Sequence, residues 1–363
     1  LTVALFFHLS GDIDMLGPFL SAAGTPGAED EVVLVSEALL KSNARLMVLL
    51  GAQARTPSAI LPMDAPRETL RKALAGSHAL LTASETTLRP HRLAHALTQE
   101  ANALGQHTAT LQHGVENVGL TYFDERQGPD VLFAAQTVFA WNGAARLPSI
   151  IDPSTRRKVV DGGLPGPLDD RIFGPWRQKL SLPAEGRKVI GVFENLHWTR
   201  FSDSYRQNFL ADLQAATEAF PELFFLMKPH PEGRWLTQRF GGKRPANDNL
   251  IVADPAAPIW NLLTAPSLMP LLDGVISTPS KVALDAAVAG VPTAIASYDG
   301  AYDLYAPLPV LSSGQDWLDF LARTASGSAA AGYRTQMQDF VSRTVSSAGQ
   351  PQRILDLLQT KVS

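Results

Sequence analysis

Two Rossmann-like α/β domains facing one cleft are the architecture the sequence predicts, on three observations. Apolar runs of strand length alternate with helix-like stretches, the signature of parallel α/β folds. The alternation is interrupted once by a Pro/Gly-rich segment and then restarts. The polar residues best suited to chemistry follow the ends of the apolar runs, where open parallel sheets bind ligands. A chain of 363 residues also exceeds the usual length of one domain.

In order, the strand candidates of the first half are TVALFFHL (Thr2–Leu9), RLMVLLG (Arg45–Gly51), HALLTA (His78–Ala83), HTATLQ (His107–Gln112) and TVFAWN (Thr137–Asn142). Between them RLAHALTQEANALG (Arg92–Gly105) reads as an amphipathic helix with glycine in the stop position. DGGLPGPLDD (Asp161–Asp170) and SLPAEG (Ser181–Gly186) then break the pattern. They put the junction near Pro183–Arg187, with domains at 1–183 and 184–363.

The pattern resumes with strand KVIGVFEN (Lys188–Asn195), helix RQNFLADLQAATEAF (Arg206–Phe220) and strand LFFLMKP (Leu223–Pro229). NLIVAD (Asn249–Asp254), DGVIST (Asp273–Thr278) and VPTAIAS (Val291–Ser297) complete the second sheet. Tyr333–Val345 and Pro351–Lys361 read as terminal helices, with room to cross back to the first domain.

Composition removes several function classes. Hydrophobic residues at 45% and charged residues at 18% suit a soluble chain with substantial cores and argue against disorder. A formal charge of −4 gives no global reason to expect nucleic acid. The absence of cysteine excludes disulfides, thiolate zinc sites and a cysteine nucleophile. No apolar run approaches the ~20 residues that span a bilayer. The first residues show no basic region followed by a small-residue cleavage site, so a secretory signal is not expected. The reducing cytoplasm is the default compartment.

Four stretches carry candidate chemistry. In FLMKPHPEG (Phe225–Gly233), Lys228 and His230 follow directly on a strand, and Pro229 and Pro231 restrict the backbone around the imidazole. The plain alternative is a strand-end turn whose histidine caps carbonyls. In DGVISTPSKVALDAAVAG (Asp273–Gly290), Ser277, Thr278 and Ser280 stand where a strand hands over to a helix. Hydroxyls and free N–H groups at a helix start suit an anion. A simple cap explains one hydroxyl, not three beside a lysine. Gly290 fits the position after that helix. Together the two stretches point to a phosphate site.

The third stretch is TLQHGVEN (Thr110–Asn117). His113 ends a strand, Gly114 lets the backbone turn, and an imidazole titrating near working pH is the commonest general base. Glu116 and Asp124 lie close enough in sequence to orient it or to act as bases themselves. The fourth stretch, FENLHWTRFSDS (Phe193–Ser204), offers Glu194, His197 and Arg200, the last able to grip phosphate with its planar fork. His91 and His95 stand four apart on a helix without HExxH, so a solvated face is the better reading there. Neither GxGxxG nor GxxxxGK[ST] is present, which disfavours dinucleotide oxidoreductases and P-loop NTPases.

KPHPEG with ISTPSKVALDAAVAGVPT resembles the His-Pro and Ser/Thr motifs of bacterial GT-B transferases that build surface polysaccharides. These are the bacterial sialyltransferases, capsule Kdo transferases and CDP-glycerol glycerophosphotransferases. LQHG is similar to the His-Gly element of the last group, and KVVDGGLPGPLDD sits where such proteins carry a G-x-P-x-x-D segment. An acidic D/E-D/E-G motif is missing from the first half, and YDG (Tyr298–Gly300) lies in the second.

The resemblance implies that His230, Ser277, Thr278 and Ser280 hold donor phosphate and that His113 is the base. It implies a metal-independent, cofactor-free glycosyltransferase. A nucleotide-sugar donor, CMP-sugar before others and Kdo-type for example, and a glycan or lipid-linked acceptor would be its partners. It also leaves room for peripheral association with the inner face of the membrane. Two other readings stand beside it: a sugar-nucleotide 2-epimerase of the same architecture, and a non-catalytic glycan- or nucleotide-binding assembly subunit.

Overall fold

The computed structural model describes residues 2–21, 24, 30–124, 131–230, 235–299, 303–327, 330–347 and 351–362. The chain divides into two compact units. The first comprises Leu1–Ile172 with Thr344–Ser363, the second Phe173–Arg343.

The first unit holds seven strands among its described residues. They are β1 (Val3–Phe7), β2 (Glu31–Ser36), β3 (Ala59–Leu61), β4 (Ala79–Thr82), β5 (His107–Leu111), β6 (Thr137–Ala140) and β7 (Val159–Asp161). All pairings are parallel, in the order β3-β2-β1-β4-β5-β6-β7. Every residue of β1 and β4 is buried, as expected where helices cover both faces of a parallel sheet. Leu93, Ala94, Leu97 and Ala101, spaced as one face of the helix Arg92–Ala103, pack with Ala4, Phe6, Leu34 and Leu80. Ile354 and Leu358 of the closing helix Pro351–Val362 are fully buried.

The second unit has six among its described residues: β8 (Lys188–Glu194), β9 (Leu223–Pro229), β10 (Leu250–Val252), β11 (Gly274–Ser277), β12 (Thr293–Ala296) and β13 (Val310–Leu311). Their order is β10-β9-β8-β11-β12-β13, again parallel throughout. Trp176, Leu180, Leu182 and Ala184 pack against this unit's core around Val189, Phe193 and Leu268. Gly290 has φ +74°, directly after the C-cap Ala289 of the helix Val282–Val288, as a left-handed stop position requires.

The α/β class with two Rossmann-like units is therefore the one observed. One predicted strand is not. Arg45–Gly51 lies inside the helix Ala44–Ala52, capped by Asn43, whose Oδ1 accepts from the N–H groups of Arg45 at 3.0 Å and Leu46 at 3.4 Å. Leu46, Leu49 and Leu50 are buried while Met47 is half exposed, a helical rather than a strand period. The strand needed beside β1 comes instead from EVVLVS (Glu31–Ser36), rich in β-branched residues. Among the described residues, no helix is long and apolar enough to cross a membrane.

Candidate functional site

In each sheet the strand order reverses direction next to the unit's first strand, between β1 and β4 in one and between β8 and β11 in the other. Ligands of doubly wound sheets gather beyond the carboxyl ends of strands at such points. The candidate residues fall there in both units.

In the second unit, Glu194 ends β8, His230 follows β9, and Ser277 ends β11. Because β8 lies between β9 and β11, the strands that carry the His-Pro and Ser/Thr stretches are two strand spacings apart, ~10 Å across the sheet. The residues joining them are Glu194 and Asn195. Glu194 is 4% exposed and accepts from the backbone N–H groups of Leu196 and His230. Asn195 Oδ1 accepts from the Thr278 hydroxyl, and its backbone N–H donates back to Thr278 Oγ1 at 3.1 Å. Its Nδ2 donates to the carbonyl of Pro279 at 3.1 Å.

The hydroxyls are not equivalent. Thr278 is fully buried and engaged with Asn195. Ser277 is also buried, donates to the carbonyl of Thr278 at 2.6 Å, and lies 2.9 Å from Ser280 Oγ. Ser280 alone of the three is half-buried, with its Oγ accepting from the N–H of Val282 at 3.2 Å. The helix behind it has only seven residues and its first donors are partly used, so hydroxyl and imidazole, more than a helix dipole, are what an anion would meet. Lys281 is paired with Asp285.

Burial shapes the charges. It pushes the Glu194 carboxyl up to about 7, against the opposing pull of two N–H groups and Arg206. It pushes His230 down to about 3, helped by His197 and Lys228, and His197 down to about 4, helped by Arg239 and Arg206. The two imidazoles lie with centroids 4.7 Å apart, so both stand neutral and able to donate one N–H each. Lys228 is buried, its ammonium donating to the carbonyl of Trp260 at 3.1 Å. Arg200 lies over the rings of Phe201 at 4.8 Å and Trp198 at 5.3 Å. Arg206, which the sequence did not single out, clamps the loop by donating to the carbonyls of Leu196 at 2.8 Å and Trp198 at 2.9 Å. The segment 231–233 and Gly300 lie outside the described residues.

In the first unit, His113 follows β5 in a loop fixed at several points. Its N–H donates to Asn117 Oδ1 at 3.1 Å, and Gln112 Nε2 donates to the carbonyl of Gly114 at 2.9 Å. A Cβ on Gly114 would stand 3.2 Å from the carbonyl oxygen of Glu116, so glycine permits that close turn. The ring of His113 meets the ring of His91 edge-on, centroids 5.6 Å apart. Burial lowers the His113 pKa, and the carboxylate of Asp12 together with the Ala83 carbonyl opposes that fall. Glu116 is half-buried in the same loop, and Asp124 half-buried at its far end.

His91 and His95 do not lie on a solvated face. His91 is 8% exposed, with Nδ1 2.7 Å from the Thr86 hydroxyl. Burial and three neighbouring imidazoles push it to about 3. His95 pairs with the buried carboxylate of Glu85. His91 ends a 3-10 turn, Arg89–His91, just before the helix that carries His95, which a four-residue spacing alone does not reveal. Asp12, in the first turn of the helix Ser10–Leu16, belongs to no motif that the sequence singles out. At 1% exposure it accepts from the N–H groups of His8 at 2.8 Å and Leu9 at 2.7 Å, and from the Ser84 hydroxyl at 2.6 Å.

No protein-family model and no curated protein matches the chain. Solved structures match it along its whole length. The S. aureus MnaA–UDP structure has a TM-score of 0.67 at 11% identity, covering 99% of this chain and 96% of that one. UDP-GlcNAc 2-epimerase from Neisseria meningitidis bound to UDP-GlcNAc gives 0.64 at 14% identity, covering 99% and 100%. The wall teichoic acid polymerase TagF gives 0.62 at 13% identity, covering 99% and 88%. At such identities the likeness establishes the fold, GT-B-like and shared by epimerases and transferases.

Proposed function

We propose that the protein is an enzyme acting on a nucleotide-activated sugar, and that it epimerises the sugar at C2. The carrying observation is the cluster at the β8–β11 switch point: neutral His230, protonatable Glu194 and the Ser277–Ser280 hydroxyls gathered where a doubly wound sheet takes phosphate. Full-length similarity to a 2-epimerase supports the reading, and neighbours holding UDP and UDP-GlcNAc favour uridine over the cytidine of the sequence resemblance.

In this reading the second unit holds the diphosphate. His230 and Ser280 donate hydrogen bonds to it, and their stabilisation grows as negative charge gathers there. Glu194 stays protonated at neutral pH and so does not repel it. In epimerisation the C2–H bond breaks, its electron pair forms a C1–C2 double bond, and the C1–O bond to the diphosphate breaks. The diphosphate then adds back to C1 as C2 takes a proton on the opposite face. His113 takes the first proton.

A second reading, transfer of a sugar or alditol phosphate to a surface-glycan acceptor, is favoured by the similarity to TagF and by the QHG stretch. The Kdo-type and CMP-dependent versions rest on the sequence resemblance alone.

Incubation with UDP-GlcNAc in D2O without acceptor separates these readings. The epimerase reading expects deuterium at C2 and a second set of sugar signals. Turnover that appears only with an acceptor overturns it in favour of transfer. Binding of UDP without any turnover would make the chain a non-catalytic subunit. A thermal-shift series with CMP, CDP, UDP and GDP identifies the base, since the ligand preferred by the native state raises its stability most.

A further inference from the structure

We propose that Asn195 is a positioning residue for the bound phosphate, locking the Ser277–Ser280 turn so that the Ser280 hydroxyl can swing to the anion while the backbone stays still. The inference rests on the reading of that turn as a holder of the diphosphate. Asn195 follows β8, is 5% exposed, and reaches a residue 83 positions further along the chain. The partners fix which way its amide faces. The carbonyl of Pro279 can only accept, so Nδ2 must point to it, as it does at 3.1 Å. Oδ1 is then left for Thr278 and accepts the proton of its hydroxyl. The N–H of Asn195 donates to the same Thr278 Oγ1 at 3.1 Å, and the N–H of Thr278 donates to the carbonyl of Phe193 at 3.0 Å. Thr278 is thus pinned to the end of β8 through both its backbone and its side chain.

Each hydroxyl has one proton to give. That of Thr278 goes to Asn195, and that of Ser277 to the carbonyl of Thr278 at 2.6 Å. In the 2.9 Å contact between Ser277 and Ser280 the proton therefore comes from Ser280. Ser277 and Thr278 are fully buried, whereas Ser280 is half-buried and gives its proton only to another hydroxyl. Turning that proton to a phosphate exchanges a neutral hydrogen bond for a charge-assisted one, roughly twice as strong. Ser277 then turns its own proton from the Thr278 carbonyl to Ser280 Oγ, so the contact between the two oxygens keeps a proton. Ser280 Oγ stays in place by accepting from the N–H of Val282 at 3.2 Å. The exchange moves protons but no heavy atoms, provided the peptide between Thr278 and Pro279 is held. Asn195 grips it from both sides, through the Thr278 hydroxyl and the Pro279 carbonyl. It thus acts on the ligand without touching it, as preorganised donors require.

The test is a double-mutant cycle read by binding of UDP and of uridine, which lacks the phosphates. Asn195→Ala should weaken UDP binding by about fivefold, the loss of the one hydrogen bond that Ser280 supplies, and leave uridine affinity within about twofold. Thr278→Val cuts the same link at a fully buried residue while keeping its shape, and should give the same pattern. In the Ser280→Ala background neither change should cost more, because the group they position is gone. A merely structural network would instead weaken UDP and uridine alike and add its loss to that of Ser280→Ala. Hydrogen exchange of the Val282 N–H, read without ligand, provides a second measurement. It should quicken in Asn195→Ala, because its acceptor Ser280 Oγ is no longer held. Additive losses, equal losses for uridine, unchanged UDP affinity or unchanged exchange would overturn the proposal. Should the wild type bind no UDP while the exchange responds, the functional reading fails and the Asn195–Ser280 link stands.

Discussion

At the end of β1 a buried carboxyl, Asp12, takes hydrogen bonds from two following N–H groups and from a hydroxyl beyond β4. At the end of β8 another, Glu194, takes two N–H groups, while the hydroxyl beyond β11 goes to its neighbour Asn195. An imidazole stands near each, His113 and His230. Burial pushes Glu194 up to about 7, and no carboxylate raises the pKa of His230. Asp12 opposes the fall of His113. In the proposed reading, one of these clusters serves the base and the other supplies neutral donors for an anion.

The largest effect that sharpens this contrast is on turnover. His113→Ala should lower it by ~10²–10⁴-fold, the range of general acid–base catalysis, with little change in nucleotide affinity. Full turnover in that variant would move the base to Glu116 or Asp124.

Next comes pH. Phosphate favours protonated Glu194, so affinity is fully present below its pKa of about 7 and lost as pH rises through it. A single linked proton predicts a UDP affinity falling by about tenfold per pH unit above that value. Glu194→Gln should abolish the slope, which titration calorimetry from pH 6 to 8 measures directly. An unaltered slope would place the proton elsewhere.

Smaller effects follow at the rim. Ser280→Ala should weaken UDP binding by about fivefold, the worth of a hydrogen bond of ~1 kcal/mol. Arg200→Ala should change it by less than about twofold, because its guanidinium lies on Phe201 and Trp198, where stacking supports the loop rather than the ligand. A large loss at Arg200 would return it to the phosphate.

The sequence carried the second sheet almost strand for strand, because LFFLMKP and KVIGVFEN are continuous apolar runs of strand length. RLMVLLG is equally apolar, and only the Asn43 cap and the spacing of Leu46, Leu49 and Leu50 mark it as helix. At the candidate site, residues at strand ends were legible because topology puts them together. His230 and Ser277 flank β8 for that reason. What lies between them was not, since the role of Asn195 depends on a contact 83 residues away. Asp12 is the same case, reaching Ser84 across 72 residues through packing that no local pattern encodes.

The division of labour between the two units is the central claim, and calorimetry of UDP with His113→Ala and His230→Ala tests it most directly. The account predicts that His113→Ala binds within about twofold of wild type. His230→Ala should bind at least about tenfold more weakly, as loss of a hydrogen bond to a charged group requires. The reverse pattern, with binding lost at His113 and kept at His230, would contradict it.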